Sequence, residues 1–96
     1  MPLAPNIYFE ADRFDLDDED MHILNTIIDR LGRDSDYSLI IEGYSTKTEG
    51  NNLASQRTEV VENYLKERNF ASRITETIIK NSDKGEPRVR LILKKN

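Results

Sequence analysis

Ile40-Ile41-Glu42-Gly43-Tyr44-Ser45-Thr46, followed by Leu53-Ala54-Ser55-Gln56-Arg57-Thr58-Glu59-Val60-Val61 and Tyr64-Leu65, sets the architecture of this chain. The first run predicts the end of a strand from Asp36 to Tyr44. Leu39, Ile40 and Ile41 are apolar on both faces of the pleat, which places that strand at the sheet centre. Ser45 to Asn51 is polar and contains Gly50, so it reads as a loop. The second run predicts a helix from Asn52 to Arg68. Leu53, Arg57, Val60, Val61, Tyr64 and Leu65 share one broad face at helical spacing, and Asn51 or Asn52 is placed to cap the first N–H groups.

Toward the N-terminus, Met21, Leu24, Ile27, Ile28 and Leu31 recur at the three-and-four spacing of a helix running from Asp17 to Leu31. Asp17 is its expected cap, Leu16 packing on Met21 its expected staple, and Gly32 its expected stop. The acidic first turn suits the positive end of the helix dipole. Before it, Asn6-Ile7-Tyr8-Phe9 after Pro5 reads as a short strand. Toward the C-terminus, Ile74 to Lys80 alternates Ile74, Glu76 and Ile78 against Thr75, Thr77 and Ile79. Asn81 to Pro87 is a turn region, and Arg88 to Lys94 is a last strand with Val89, Leu91 and Leu93 on one face. The order β-α-β-α-β-β predicts an α+β two-layer sandwich: a four-stranded mixed sheet with two helices on one face. Residues 1–96 read as a single domain, with 1–5 as a flexible edge or one added for expression. Leu24, Ile28, Leu39, Ile41, Val61, Leu65, Val89 and Leu91 are the expected core.

Composition narrows the function. Charged residues make up 33% and hydrophobic residues 36% of 96, as in a folded domain with a well-solvated surface. No apolar run approaches the ~20 residues a membrane helix needs, and no signal peptide is visible. The chain has no cysteine, which excludes disulfides, thiolate catalysis and cysteine-based metal sites. A net charge of −4 argues against a nucleic-acid partner, because such partners need a basic surface that releases counterions. The charge is uneven. Glu10, Asp12, Asp15, Asp17, Asp18, Glu19 and Asp20 form an acidic stretch, and Lys84, Arg88, Arg90, Lys94 and Lys95 a basic end. Both read as solvated surfaces.

Nothing in the chain spells an enzyme. His22 is the one histidine. It lies off the apolar stripe in the acidic turn, as a surface residue, with no Ser or Cys nucleophile motif beside it. The acidic run lacks the glycine and distal glutamate of a calcium loop, and it leads into a helix on which the carboxylates diverge. No glycine-rich phosphate loop or paired-histidine zinc motif is present. No catalytic residue, cofactor or metal is therefore expected.

Gly43, Tyr44, Leu53, Arg57, Val61, Tyr64 and Leu65 together resemble the signature of the peptidoglycan-binding OmpA C-terminal family. In that family a strand ending Gly-His/Tyr-Thr-Asp leads through a loop into a helix beginning Leu-Ser-x-x-Arg-Ala-x-x-Val, with Tyr-Leu one turn on. Ile7-Tyr8-Phe9 with Leu16 and Leu24 is similar to its first strand, loop and helix. Pro87-Arg88-Val89-Arg90-Leu91-Ile92-Leu93 is similar to its last strand. The resemblance covers nearly the whole chain. It implies a non-catalytic bacterial domain, periplasmic or otherwise in the cell envelope, that binds the peptide stem of peptidoglycan at diaminopimelate. An Asp after the second strand would take the ammonium group, and an Arg in the second helix would take the carboxylate with its planar fork of donors.

Carried over by this resemblance, Arg57 is the carboxylate ligand, and Tyr44, Thr46 and Glu49 complete the candidate site. Outside the resemblance, Arg57 also reads as a surface residue or as the ion partner of Glu42 or Glu49. The departures are specific. The Asp position holds Thr46, which cannot neutralise an ammonium. The loop is shorter, and the family's Asn in it falls on Gly50. Ala54 replaces Ser, Thr58 replaces the small residue after Arg, and Glu86 or Pro87 stands where the family has Asn before its last strand. Glu49 is the acid that reaches far enough to substitute. The partner expected is either a peptidoglycan stem peptide bound weakly, or another envelope protein on a domain that has lost wall binding. The domain itself is not expected to insert into a membrane.

Overall fold

The computed structural model describes residues 5–46, 51–82 and 87–95. Its elements are β1 (Asn6–Tyr8), α1 (Asp18–Arg33), β2 (Tyr37–Thr46), α2 (Asn51–Glu67), a 3₁₀ turn (Ala71–Arg73), β3 (Ile74–Ser82) and β4 (Arg88–Lys95). The sheet has the order β1-β4-β2-β3. β4 runs antiparallel to both β1 and β2, and β2 runs parallel to β3. The expected α+β architecture is present: a mixed four-stranded sheet with two helices. β2 lies inside the sheet, as its apolar centre predicted.

Both helices cover the same sheet face. Leu24, Ile27 and Leu31 of α1 and Val61 and Leu65 of α2 join Ile7, Leu39, Ile41, Val89, Leu91 and Leu93 in one core. The Tyr64 hydroxyl of α2 donates to Asn25 Oδ1 of α1 at 2.7 Å, tying the helices together. Of the eight expected core residues, Ile28 is half-buried and the rest are buried. Helix residues shade gradually from core to rim, and Ile28 stands at that rim. The opposite sheet face carries Asn6, Tyr8, Ile40, Glu42, Tyr44, Glu76, Ile78, Lys80, Arg88 and Arg90, with no helix over it among the described residues. Ile40 is half-buried there.

The helix ends are served by local groups at some termini and by distant ones at others. Asp17 caps α1 through a reciprocal box: its Oδ1 accepts from Asp20 N at 2.8 Å, and Asp20 Oδ2 accepts from Asp17 N at 3.1 Å. Met21, the expected staple partner, lies exposed at the helix rim, while Leu16 packs against the core. Gly32 does not stop the helix. α1 continues to Arg33, and Asp34 caps it in extended backbone. Arg73, far away in sequence, donates to the carbonyls of Leu31 (2.8 Å), Asp34 (2.8 Å) and Tyr37 (2.6 Å). α2 does end in a left-handed turn, at Asn69 (φ 67°). Phe70 N donates to Leu65 O and Asn69 N to Lys66 O, the two bonds that close a helix at such a residue. The strands β2 and β3 each run two residues further than the spacing predicts, ending at Thr46 and Ser82.

Candidate functional site

Arg57 organises the end of the sheet where β1 gives way to the 10–17 loop and β2 nears its end. Its side chain is 0% exposed. Nε donates to Arg13 O at 2.9 Å, Nη1 to Tyr44 O at 3.2 Å and Nη2 to Glu10 O at 3.4 Å, and the guanidinium lies 5.5 Å from the centre of the Phe9 ring. One planar fork thus fastens the loop after β1 to β2 from a helix. The surface reading of Arg57 does not hold. Glu42 is not its partner either, because Glu42 pairs with Lys80 (3.2 Å) and Arg90 (3.7 Å) on the uncovered sheet face.

The other candidate residues are placed differently. The carbonyl of Tyr44 reaches Arg57, but its side chain belongs to the uncovered face. There the ring stacks under Arg88 at 4.4 Å and its hydroxyl donates to Glu42 Oε1 at 3.4 Å. The Glu42 carboxylate hydrogen-bonds Lys80 and holds its ammonium above the usual lysine range. Thr46 is half-buried at the last position of β2, in register with Ser82. Glu49 lies outside the described residues, as do Gly50 and Glu86. The structure therefore joins Arg57 and Tyr44 through the backbone and separates their side chains.

A cavity of about 210 Å³ opens beside the Arg57 clamp, lined by Tyr8, Phe9, Glu10, Arg13, Asp15, Asp17 and Asp20. Asp15 is held below the usual carboxylate range by its hydrogen bond to Arg13, 3.1 Å away. Asp20 was expected on a solvated surface and is instead only 7% exposed. Burial pushes its carboxyl up, with the charges of Asp17 and Glu19 adding to the effect against the Asp17 N–H bond.

Two features escaped sequence reasoning. Gly43, the glycine of the strand end, lies where α2 presses closest on β2. A Cβ there would collide with Thr58 Cγ2 and stand 2.8 Å from Ala54 O. The departures Ala54 and Thr58 are thus the buried contact surface of α2 against Gly43. Arg73 is the other. Its position at the end of the 3₁₀ turn gives no sequence signal for three long-range carbonyl acceptors.

The arrangement defines a class: an α+β sheet whose loops are pinned by a helix arginine following a Gly-Tyr strand end. The OmpA family model matches residues 8–89, and the chain belongs to that family. No curated protein matches it significantly. Among solved structures, the chain is similar to the OmpA-like domain of FopA1 from Francisella tularensis, at 14% identity and a TM-score of 0.83, covering 99% of this chain and 76% of that one. A putative MotB-like protein from Desulfovibrio vulgaris is similar at 14% identity and a TM-score of 0.76, again over 99% and 76%. An outer membrane protein from Borrelia burgdorferi is similar at 20% identity and a TM-score of 0.70, over 99% and 88%.

Proposed function

We propose that this chain is a non-catalytic cell-envelope domain of the OmpA type whose peptidoglycan stem-peptide site is altered, so that wall binding is weak. The observation that carries this reading is Arg57, fully buried and donating to the carbonyls of Glu10, Arg13 and Tyr44. A ligand carboxylate reaches that fork only by displacing a carbonyl or sharing its donor. Thr46 supports the same reading from the other half of the site, because a hydroxyl offers no charge to an ammonium. The setting is the periplasm or envelope, by membership of the family.

Calorimetric titration with a diaminopimelate-containing stem peptide tests it. Wild type should bind weakly or undetectably. Thr46→Asp should strengthen binding by about tenfold or more, since a charge-assisted contact is worth about 1.5–3 kcal/mol. Arg57→Ala should remove what binding remains, with melting monitored in parallel because the clamp is also structural. Tight micromolar binding by wild type would overturn the proposal and point to Glu49 as the replacement acid. No binding by either wild type or Thr46→Asp favours the second reading, a protein–protein assembly module on the same fold. Retention on insoluble peptidoglycan sacculi separates the two readings.

A further inference from the structure

β3 is the last strand of the sheet, paired with β2 on one side only. It is nine residues long, contains no proline, and no described residue pairs with its outer edge. Such an edge presents unpaired N–H and C=O groups at alternate residues and is a template for another strand. Ile79 is 43% exposed on it. Glu76 makes no ion pair among the described residues, although Lys80 lies four positions along the same face.

We infer that the free edge of β3 pairs antiparallel with β3 of a second copy of this chain, about a two-fold axis at Ile78. The charge pattern selects both partner and register. With the axis at Ile78, Glu76 stands opposite Lys80 of the second copy and Lys80 opposite its Glu76, while Ile78 meets Ile78. Moving the axis by one residue either way sets Ile78 of one copy against Glu76 or Lys80 of the other and leaves the charges unmatched. Opposite charges across a strand pair are stabilising and like charges are not. The Lys80 ammonium has three donors, so it serves Glu42 at 3.2 Å and a partner's carboxylate together. On the helix-covered face the same axis sets Thr77 opposite Ile79, covering an exposed side chain.

The groove beside the edge fits this occupant. It encloses about 400 Å³ between α2 and β3, lined by Glu62, Asn63, Lys66, Thr75 and Thr77 among others. A two-fold axis at Ile78 runs α2 antiparallel to its copy. The interface is isologous and closes at two copies.

The test uses the whole 96-residue chain in sedimentation velocity over a concentration series. A reversible monomer–dimer equilibrium is expected, with a dissociation constant in the micromolar range, as for a small interface. Glu76→Lys and Lys80→Glu should each be monomeric, and mixing the two should restore a dimer, because every cross-strand pair is then opposite in sign. The chain has no cysteine, so register is tested cleanly by oxidation. Ile78→Cys should cross-link to itself, since directly opposed residues stand about 4.5–5.5 Å apart. Thr75→Cys should not, because its copy lies about 20 Å along the strands. Wild type that stays monomeric at millimolar concentration, or equal cross-linking at both cysteines, would overturn the inference. So would a mixture of the two charge variants that fails to associate.

Discussion

Gly43 shows how much a single residue can be asked to do at the close approach of two elements. Its missing side chain lets the Ala54 carbonyl and the Thr58 methyl of α2 settle on β2. Gly43→Ala should cost about 1–3 kcal/mol, because one of the colliding groups is backbone and cannot rotate away. Thr58→Ser in the same chain removes the methyl and keeps the 2.8 Å bond to Ser55 O, so it should recover part of that loss in urea unfolding. Asp20 is a second residue whose setting matters. Its folded carboxyl lies above the ordinary 3.8 because burial disfavours the charge. The native state therefore binds the proton more tightly than the unfolded chain. The corresponding stability is present below the unfolded value and is lost as pH rises through the raised one. Asp20→Asn keeps an acceptor for Asp17 N–H and removes the charge. Its unfolding midpoint should vary less than wild type between about pH 4 and 7, and should equal or exceed it at neutrality.

Among the elements, α1 and α2 end by different means. α2 closes on its own sequence, at Asn69. α1 runs past Gly32, and Arg73 donates from across the fold to the Leu31 carbonyl in its last turn and to that of its cap, Asp34. Arg73→Ala should therefore cost about 1–3 kcal/mol. Its loss should be read most clearly as faster amide exchange between Leu31 and Tyr37, with α2 little changed. β2 is the element on which the others converge, pairing with β3 and β4 and carrying α2. Ile41, fully buried at its centre, should cost about 2–5 kcal/mol when cut to Ala. A domain of this size has a total stability of about 5–15 kcal/mol, so a large drop in melting temperature is expected.

At the scale of the molecule, one sheet face is the apolar core and the other, with no helix over it among the described residues, is charged. Glu42, only 6% exposed, sits among Lys80, Arg90 and the Tyr44 hydroxyl on that second face. Glu42→Gln should leave the fold intact, because amide and carboxylate are nearly isosteric. It should bring the Lys80 ammonium back toward its ordinary value, measurable by NMR titration of the lysine side chain. The two edge strands of the sheet differ in length: β1, beside β4, has three residues, and β3, beside β2, has nine.

The sequence by itself determined the order of elements, the apolar stripes and the cap at Asp17, because each is a local property of spacing and residue type. It also carried the family, through Gly43, Tyr44, Arg57 and the helix that follows. Only the tertiary structure decided what Arg57 does. A guanidinium fork is equally suited to a carboxylate ligand and to backbone carbonyls, and the choice depends on which acceptors the fold brings within reach. Here those are Glu10 and Arg13, which lie 47 and 44 positions away along the chain. The Arg73 bonds at the end of α1, the burial of Asp20 and the pairing of Glu42 were settled the same way, by groups remote in sequence and adjacent in space.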